Sequence, residues 1–341
     1  MSAPGSTVLV VGPAEHGVNG VALAQEAALR AVAPGPVHLL RRTGRPAVDE
    51  LRAAVRTAPP GPLLVHVTDK LFGTTPEEAA DVVVALAQER PLVVTLHDLP
   101  QASDGPRNAP RRATAYRRMA QAAAAVVVAS SHEQRLLAAC GADVRCDVVP
   151  LPVPELRSAP AADPSTPARS VAVLGYLYPG KGHEAVVAAL AVLPAGVGLT
   201  AWGRPSAGHE DLVEALTAQA RALGRPCSVT GYVPDDELSA LLRSAVLPVA
   251  PHEHLSASGS INAWIGAGRR PLVPRSDYVA ELDERWPGCV RIYDDLPAAL
   301  AQAWDEPAST WLPGGHPAGH TGVETAALLL PVLARVAGCA P

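Results

Sequence analysis

The sequence has few aromatic residues, and this scarcity argues against one large class of partners. Phe, Trp and Tyr make up only 4% of its 341 residues, so the chain offers few platforms on which nucleic-acid bases could stack. Its formal net charge is -5, so the chain also lacks the excess of cationic residues that attracts nucleic acid. We therefore expect no nucleic-acid partner.

Paired cysteines are missing as well. The five cysteines are scattered without a CxxC pair, which suits reduced thiols better than a disulfide framework or a structural zinc site. Two histidine pairs, His252 with His254 and His316 with His320, are the other candidate metal ligands. Pro317 interrupts any helix across the second pair, and neither pair has a defined third ligand. The sequence predicts no metal site.

Long apolar runs are also absent. No stretch reaches the roughly 20 apolar residues that span a bilayer, and the start MSAPGSTVLVVGP lacks the features of a secretory signal. We therefore expect a cytoplasmic protein. Its composition, 48% hydrophobic and 18% charged, excludes intrinsic disorder and supports two compact domains.

Short runs rich in β-branched residues alternate with longer segments of helical period. This alternation is typical of βαβ units, which build a parallel sheet with helices on its faces. In the first half it predicts strands at 7–11, 37–40, 63–67, 92–96, 125–128 and 144–149, and helices at 21–33, 76–89, 109–124 and 131–139. These elements make one doubly wound domain.

The alternation restarts after a proline-dense stretch that neither a helix nor a central strand accepts. We predict a linker at 155–168 between an N-terminal domain, 1–154, and a C-terminal domain, 169–321, while 322–341 forms a helix expected to pack back on the first domain. The second half has predicted strands at 170–174, 198–202, 228–231, 247–250, 271–273 and 290–293, and helices at 183–193, 209–223, 235–244, 261–267 and 296–304. Because open parallel sheets bind ligands at the carboxyl ends of their strands, this architecture favours an enzyme with a cleft.

The segment VVGPAEHGVNG joins the first strand to the first helix. Gly17 and Gly20 are expected to loosen the turn before a helix that begins near Val21. Free N–H groups at such a helix start favour an anion. The glycine spacing does not match GxGxxG, so a dinucleotide site is not supported, and a tight turn without a ligand is the alternative.

Histidines and aspartates lie at or just after the ends of two consecutive predicted strands. His97 and Asp98 end the segment VVTLHD, and His66 and Asp69 occupy the corresponding place in VHVTD. Strand-end placement at the carboxyl edge of a sheet favours a functional role. The alternative is that these histidines are structural residues with satisfied hydrogen bonds.

Lysine is rare, since Lys70 and Lys181 are its only occurrences. Lys181 lies in VLGYLYPGKGHE, a strand followed by a Gly/Pro-rich loop and a helix that opens near His183. A compact ammonium on a glycine loop suits a phosphate. The spacing does not match that of a P-loop ATPase, and a solvated loop lysine is the alternative.

A second anion cradle is predicted in HEHLSASGSIN, where small residues precede a helix beginning near Ile261. An ordinary serine N-cap would explain Ser256, Ser258 and Ser260 equally well, so the functional interpretation depends on convergence with Lys181. We expect both segments to meet on one anionic group such as a phosphate.

Arginines cluster shortly after the His97 strand. Most such clusters are solvated helix faces, and the alternative is a site for an anionic acceptor. No GxSxG nucleophile elbow is present. The cluster consists of Arg107, Arg111, Arg112, Arg117 and Arg118.

Taken in chain order, eight segments resemble retaining GT-B glycosyltransferases of the glycogen-synthase-like class, family 4. The resemblance covers nearly the whole chain. It implies two Rossmann-like doubly wound domains facing across a cleft, with a UDP- or GDP-hexose donor held mainly by the C-terminal domain. The segments are HGVNG, VVTLHD, VVVASSHEQRLL, VVPLPVP, GYLYPGKGH, AWGRP, GYVPDDELSALLRSA and INAWIGAGRRPLVP.

The resemblance also implies a mechanism without a metal or other cofactor, in which the leaving phosphate accepts the proton of the attacking hydroxyl. The acceptor would be a small molecule or a lipid-linked molecule, the latter leaving room for peripheral membrane contact. By the same resemblance His97 and Lys181 are catalytic. The implied donor-binding residues are Gly17, Gly20, Tyr176, Gly203, Arg204, Val233, His254, Ser258, Gly259, Ser260, Ile261 and Asn262, and the implied acceptor-binding residues are His16, Asn19, Asp69, Asp98, Arg111 and Arg112.

The chain departs from the family pattern in two places. Tyr176 stands where the family has an arginine before its phosphate lysine, and Arg204 or Arg269 could substitute for it. His254 and Asn262 stand where the family has two glutamates. A non-catalytic partner subunit of the same fold, or an enzyme that epimerises or hydrolyses its nucleotide sugar, is therefore an alternative to a transferase.

Overall fold

Two parallel β-sheets organise the computed structural model, which describes residues 5–156, 170–314 and 318–338. Contacts between Cα atoms divide the chain into two units. The first comprises Met1–Pro152 with His320–Pro341, and the second comprises Val153–Gly319. Most of the predicted linker, 155–168, lies outside the described residues.

The first unit contains a six-stranded sheet with the order β2-β1-β3-β4-β5-β6, and every neighbouring pair is parallel. All six predicted strands are present. They are β1 (Ser6–Val11), β2 (Val37–Arg42), β3 (Leu63–Val67), β4 (Leu92–Leu96), β5 (Ala125–Val128) and β6 (Cys146–Val148).

Helices connect these strands. The residues at which the helices begin differ most from those predicted from the sequence. The first helix begins at Gly17 instead of near Val21, since the imidazole of His16 caps it by accepting from Val18 N. Two short helices, α2 and α3, were not predicted. The helices of this half are α1 (Gly17–Val32), α2 (Val48–Thr57), α3 (Asp69–Phe72), α4 (Pro76–Glu89), α5 (Gly105–Ala122) and α6 (Ser131–Ala139).

Four strands of this sheet, β1, β3, β4 and β5, are buried along their whole lengths, as a doubly wound fold requires of its central strands. Along β1, Leu9 and Val11 belong to one core cluster and Val8 and Val10 to the other. Because successive side chains of a strand point to opposite faces, each face is covered by its own helices. This double burial is why the central strands are mostly apolar.

The second unit contains another parallel sheet, with the order β12-β11-β10-β7-β8-β9. From β7 the chain proceeds outward to β8 and β9, and then crosses to β10 on the other side. The boundary between β7 and β10 is thus the point where the strand order reverses. The strands are β7 (Ser170–Leu174), β8 (Gly198–Trp202), β9 (Cys227–Val229), β10 (Leu247–Val249), β11 (Leu272–Pro274) and β12 (Arg291–Tyr293).

Helices cover this sheet in the same way. One of them, α11, was not predicted, although Ser276 caps it by accepting from Val279 N. The helices are α7 (His183–Ala189), α8 (Asp211–Ala222), α9 (Asp235–Ser244), α10 (Gly259–Gly266), α11 (Asp277–Arg285) and α12 (Leu296–Asp305).

The final helix, α13 (Gly322–Gly338), packs in the first unit. Leu329 and Val332 join the core cluster that contains Val8 and Leu29. Within the described part of the chain, no helix has the length and apolar character that crossing a membrane requires. The four cysteines of that part are free thiols.

Candidate functional site

The loops after β7 and β10 lie at the point where the strand order of the second sheet reverses. In open α/β sheets the crevice outside the carboxyl ends of such strands is the usual ligand site. Lys181 is in the loop after β7, and His252 is in the loop after β10. The strand order therefore brings together two residues that are 71 positions apart.

Close backbone contact joins these two loops. Gly182 has a left-handed φ of +87°, and a Cβ there would lie 2.2 Å from the carbonyl oxygen of Pro251. Only glycine fits such a position without displacing the neighbouring loop. A second contact joins residues two positions away, where Glu253 N donates a hydrogen bond of 3.0 Å to Gly180 O.

Four side chains meet in what we call the lysine cluster, consisting of Lys181, His252, Ser258 and Ser260. Lys181 Nζ lies 2.5 Å from His252 Nε2 and 3.4 Å from Ser260 Oγ, and the oxygens of Ser258 and Ser260 are 3.0 Å apart. Lys181 is only 4% exposed. The structure thus joins the two segments expected to converge.

Burial controls the charge of this cluster. It lowers the pKa of Lys181 to about 7, and with the nearby lysine it holds the pKa of His252 well below its usual range. The adjacent His183, also buried beside Lys181, has a pKa of about 3, and its Nε2 makes no hydrogen bond to a described residue. An anion entering the cluster would favour the protonated form of Lys181.

The start of α10 contributes backbone donors. Ser258 caps the helix by accepting from Ile261 N at 3.2 Å, and helix α10 begins at Gly259, two residues before the predicted start. A Cβ on exposed Gly259 would meet nothing within 4 Å. Asn262 is buried in the first turn. The positive end of this helix therefore lies beside Lys181.

The other implied donor residues of the second unit lie in the loops that follow β7, β8, β9 and β10. The guanidinium of Arg204, in the loop after β8, lies 5.5 Å from the ring centroid of Tyr176 and donates to its hydroxyl at 3.3 Å. Gly203 precedes Arg204 at the end of β8. His254 is exposed, and half-buried Val233 packs against a core cluster.

Arg269 has structural partners and does not stand in for the arginine that the sequence resemblance implied. It is fully buried, and its guanidinium donates to the carbonyl oxygens of Leu242, Ala245 and Val246 at 2.7 to 3.2 Å. The ring of Trp311 stacks beneath it at 4.1 Å. Of the two substitutes considered from the sequence, only Arg204 has an exposed side chain.

In the first unit, a buried chain of polar side chains links α1, β3 and His97, which directly follows β4. We call Gln25, His66 and His97 the histidine cluster. His66 Nε2 lies 2.7 Å from Gln25 Oε1, and His66 Nδ1 lies 3.0 Å from His97 Nε2. Burial lowers the pKa of His97 to about 4 and that of His66 well below its usual range.

Helix α5 fixes the backbone at His97 and Asp98. Tyr116 donates its hydroxyl proton to His97 O at 2.8 Å, and Arg112 donates to Asp98 O at 2.6 Å. Asp98 has a left-handed φ of +51°, the one non-glycine residue with a positive φ among those described. Such a conformation persists where its surroundings enforce it.

Several implied acceptor residues have structural partners. The Asn19 amide donates to the carbonyl oxygens of Val11 and Pro13 at 2.8 Å each. Arg112 pairs with buried Asp69 at 3.0 Å, and exposed Arg111 pairs with Glu77 at 2.8 Å. These contacts indicate structural roles.

The remaining implied residues of this unit surround the start of α1. His16, which caps the helix, is half-buried, and Asp98 is exposed. We expected Gly17 and Gly20 to loosen the turn before the helix, but both lie within the first turn of α1. A Cβ on either glycine would meet nothing within 4 Å.

Sequence reasoning missed His252 as a partner of Lys181, and it missed Gln25 and His183. The strand-end position that singled out His97 would also have singled out His252, which follows β10. Gln25 lies in the middle of a helix, where no sequence signal marks it. Among the described residues, no group of three or more His, Cys, Asp or Glu side chains is placed to hold a metal ion.

No protein-family model matches the chain, and no curated protein matches its sequence. Solved structures do resemble it. Anabaena HepE in complex with UDP and glucose matches with a TM-score of 0.70 and 17% identity over 97% of this chain and 94% of HepE.

Two others match over almost their entire lengths. Sucrose-phosphate synthase from Thermosynechococcus elongatus has a TM-score of 0.73 and 17% identity, covering 98% of each chain. AviGT4, a glycosyltransferase involved in avilamycin A biosynthesis, has a TM-score of 0.63 and 17% identity, covering 99% of each chain. These likenesses confirm the fold class predicted from the sequence, a GT-B fold of two Rossmann-like domains.

Proposed function

We propose that the protein is a glycosyltransferase that uses a nucleoside diphosphate sugar as its donor. The observation that carries this proposal is the lysine cluster at the N-terminus of α10. Lys181 Nζ and Ser260 Oγ are 3.4 Å apart at the strand-order reversal of the second sheet. A buried cation beside helix N–H groups suits a diphosphate.

The structural neighbours support a uridine nucleotide as the donor nucleotide. HepE binds UDP with glucose in one structure and UDP-glucose in another. We propose a UDP-hexose as the first donor to test, with GDP-hexose as the alternative.

The chemistry proposed for the lysine cluster is stabilisation of the leaving group. Negative charge develops on the diphosphate as the bond to the sugar breaks, and a preorganised cation stabilises that charge most strongly in the transition state. In this proposal the leaving phosphate accepts the proton of the acceptor hydroxyl, so the sugar is transferred with retention and without a metal. His97 hydrogen bonds to the sugar.

Arg204 is proposed as the second cation on the diphosphate. Tyr176 replaces the arginine of the family pattern, and its ring and hydroxyl both contact the Arg204 guanidinium. The tyrosine would thus orient a guanidinium that comes from the next loop. On the acceptor side we retain His16 and Asp98, with a small-molecule or lipid-linked acceptor.

Nucleotide binding is the first test. A thermal-shift screen of the full chain against UDP, GDP and ADP and their sugars should show selective stabilisation by one base, since a ligand that binds the folded state raises the melting temperature. Stabilisation by NAD alone, with no response to these compounds, would contradict the proposal.

Substitution of Lys181 is the second test. We expect Lys181→Ala to lower turnover of the selected donor by about 10²-fold or more, because a transition-state charge partner is lost. The control is Arg221→Ala, which removes an exposed cation from the same unit. Equal turnover in the two variants would reject the role of Lys181.

Product analysis separates transfer from the alternatives. A transferase delivers labelled sugar to an acceptor, whereas a hydrolase releases free sugar and an epimerase returns an altered nucleotide sugar. Binding without any turnover across an acceptor panel would favour the non-catalytic partner subunit.

A further inference from the structure

The histidine cluster contains a directional chain of hydrogen bonds. Gln25, His66 and His97 are all at most 5% exposed. His66 contacts the other two through different ring nitrogens, at 2.7 Å and 3.0 Å. Since a neutral imidazole carries one N–H, the proton on one nitrogen of His66 determines the role of the other.

The Gln25 oxygen determines the direction of this chain. The structure orients the Gln25 amide with its oxygen toward His66, and a carbonyl oxygen only accepts, so in this orientation His66 Nε2 carries the proton and donates it to Gln25 Oε1. His66 Nδ1 is then an acceptor and takes its hydrogen bond from His97 Nε2–H. His97 Nδ1 is consequently unprotonated.

We propose that Gln25 and His66 are positioning residues that hold His97 as its neutral Nε2–H tautomer, so that His97 Nδ1 presents a lone pair to an O–H group of the substrate. The tautomer follows from the contacts of the first unit alone. The hydrogen bond from a sugar hydroxyl to His97 Nδ1 rests on the proposed function.

Ring packing and burial support a fixed arrangement. The rings of His66 and His97 are stacked, with centroids 5.2 Å apart and planes inclined by 21°. Both rings favour neutrality because burial lowers each pKa. The charged groups that influence His97 are Asp98, which raises its pKa, and His16, which lowers it. The pKa of about 4 that results keeps His97 neutral at physiological pH.

The direct test is ¹⁵N NMR of the unliganded full chain labelled at histidine. Two-bond ¹H–¹⁵N correlation spectra distinguish protonated from unprotonated ring nitrogens, and the His97→Gln spectrum identifies the signals of His97. We expect a protonated Nε2 and an unprotonated Nδ1 at pH 7. The opposite tautomer would overturn the proposal.

Two substitutions of His66 test whether this residue enforces the tautomer. His66→Phe keeps a stacked ring but removes the acceptor for His97 Nε2–H, so the single tautomer should be lost. His66→Asn restores an acceptor oxygen near the former Nδ1 and should rescue it. An unchanged His97 tautomer in His66→Phe would overturn the proposal that His66 fixes it. If the phenylalanine variant does not fold, Gln25→Met provides the same test.

Kinetics separate this inference from the proposed function. With an active donor, His66→Phe should lower kcat/KM by about tenfold, as expected when a hydrogen bond to the sugar is lost, and His66→Asn should recover most of it. If the tautomer is as expected but no sugar is transferred from any nucleotide donor, the positioning of His97 by Gln25 and His66 is supported and the proposed function is rejected.

Discussion

At the scale of single residues, the protonation of Lys181 should make donor binding depend on pH. Its pKa of about 7 in the unliganded protein reflects burial, and a bound diphosphate raises that pKa because the anion favours the ammonium. Above pH 7 binding must therefore take up a proton. We expect the affinity for UDP-glucose to fall as the pH rises from 7 to 9.

Calorimetry checks this linkage. UDP-glucose is a suitable probe because its diphosphate, esterified at both ends, does not titrate in this range. Titrations at pH 8 in buffers of different ionisation enthalpy should reveal uptake of nearly one proton by the wild type. Lys181→Arg stays charged and should show none. Affinity that is constant from pH 6 to 9 in the wild type would refute the prediction.

The same pKa has a separate consequence for the stability of the unliganded protein. The folded pKa of about 7 lies below the unfolded value near 10.5, so the unfolded chain binds more protons between these limits. This group therefore makes the free energy of unfolding increase as the pH rises from 7 to about 10.

Arg204 provides a second prediction at the residue scale. Arg204→Ala should weaken UDP-glucose binding by about tenfold or more, since a hydrogen bond to a charged group contributes about 1.5–3 kcal/mol. Adding Tyr176→Arg to this variant returns an arginine to the position of the family pattern and should restore much of the affinity. Binding by Arg204→Ala that equals the wild type would show that Arg204 does not contact the donor.

At the scale of elements, Gly182 holds the β7 and β10 loops together. Gly182→Ala places a methyl group 2.2 Å from Pro251 O in a left-handed conformation. Gly196→Ala is the matched control, because Gly196 has a φ of +90° but no atom within 4 Å of an added Cβ. The control should cost about 1 kcal/mol, and Gly182→Ala about 1–3 kcal/mol more.

Urea denaturation measures both costs, and UDP-glucose affinity gives a second readout. Only Gly182→Ala should lose affinity, since only this variant separates Lys181 from His252. Equal destabilisation in the two variants would mean that the loops adapt to the added methyl group.

The sequence predicted strands better than helix boundaries, for a physical reason. A strand buried on both faces is a continuous apolar run, as in 125–128, and its bounds follow from composition. The start of α1 depends on a histidine cap and glycines in the first turn, which the usual capping residues do not reveal. Helix α3 has only four residues, too few to show a helical period. Helix α2 has ten residues and buries Leu51, Ala54 and Val55 at helical spacing, a pattern that the sequence prediction overlooked.

Candidate site residues were predictable one at a time but not as contacts. Lys181 stood out by its rarity and its place after a strand. Its contact with His252 depends on β7 and β10 being neighbours, and strand order is not readable from a chain segment. The hydrogen-bonded chain from Gln25 through His66 to His97 similarly depends on the packing of α1 against β3.

At the scale of the whole molecule, the end of the chain completes the core of the first unit. Helix α13 supplies Ala326, Leu329 and Val332 to the core face that also contains Val8 of β1. A segment more than 300 residues after β1 therefore stabilises the sheet that contains His66 and that His97 directly follows.

Adjacent leucines in α13 make this claim testable. Leu329 is fully buried and Leu328 is 45% exposed. Leu329→Ala should lower the free energy of unfolding by about 2–5 kcal/mol, because it leaves a cavity in the core. Leu328→Ala should change it by less than about 0.5 kcal/mol, as is usual for an exposed position.

Hydrogen exchange shows which unit the loss affects. In Leu329→Ala, amide exchange should accelerate in β1 and α1, which share a core cluster with α13, while β7 and β10 should keep their wild-type rates. Exchange that accelerates equally in both sheets would show that the units unfold as one cooperative body. Unchanged exchange in β1 would show that α13 contributes no stability to the first sheet, despite its packing there.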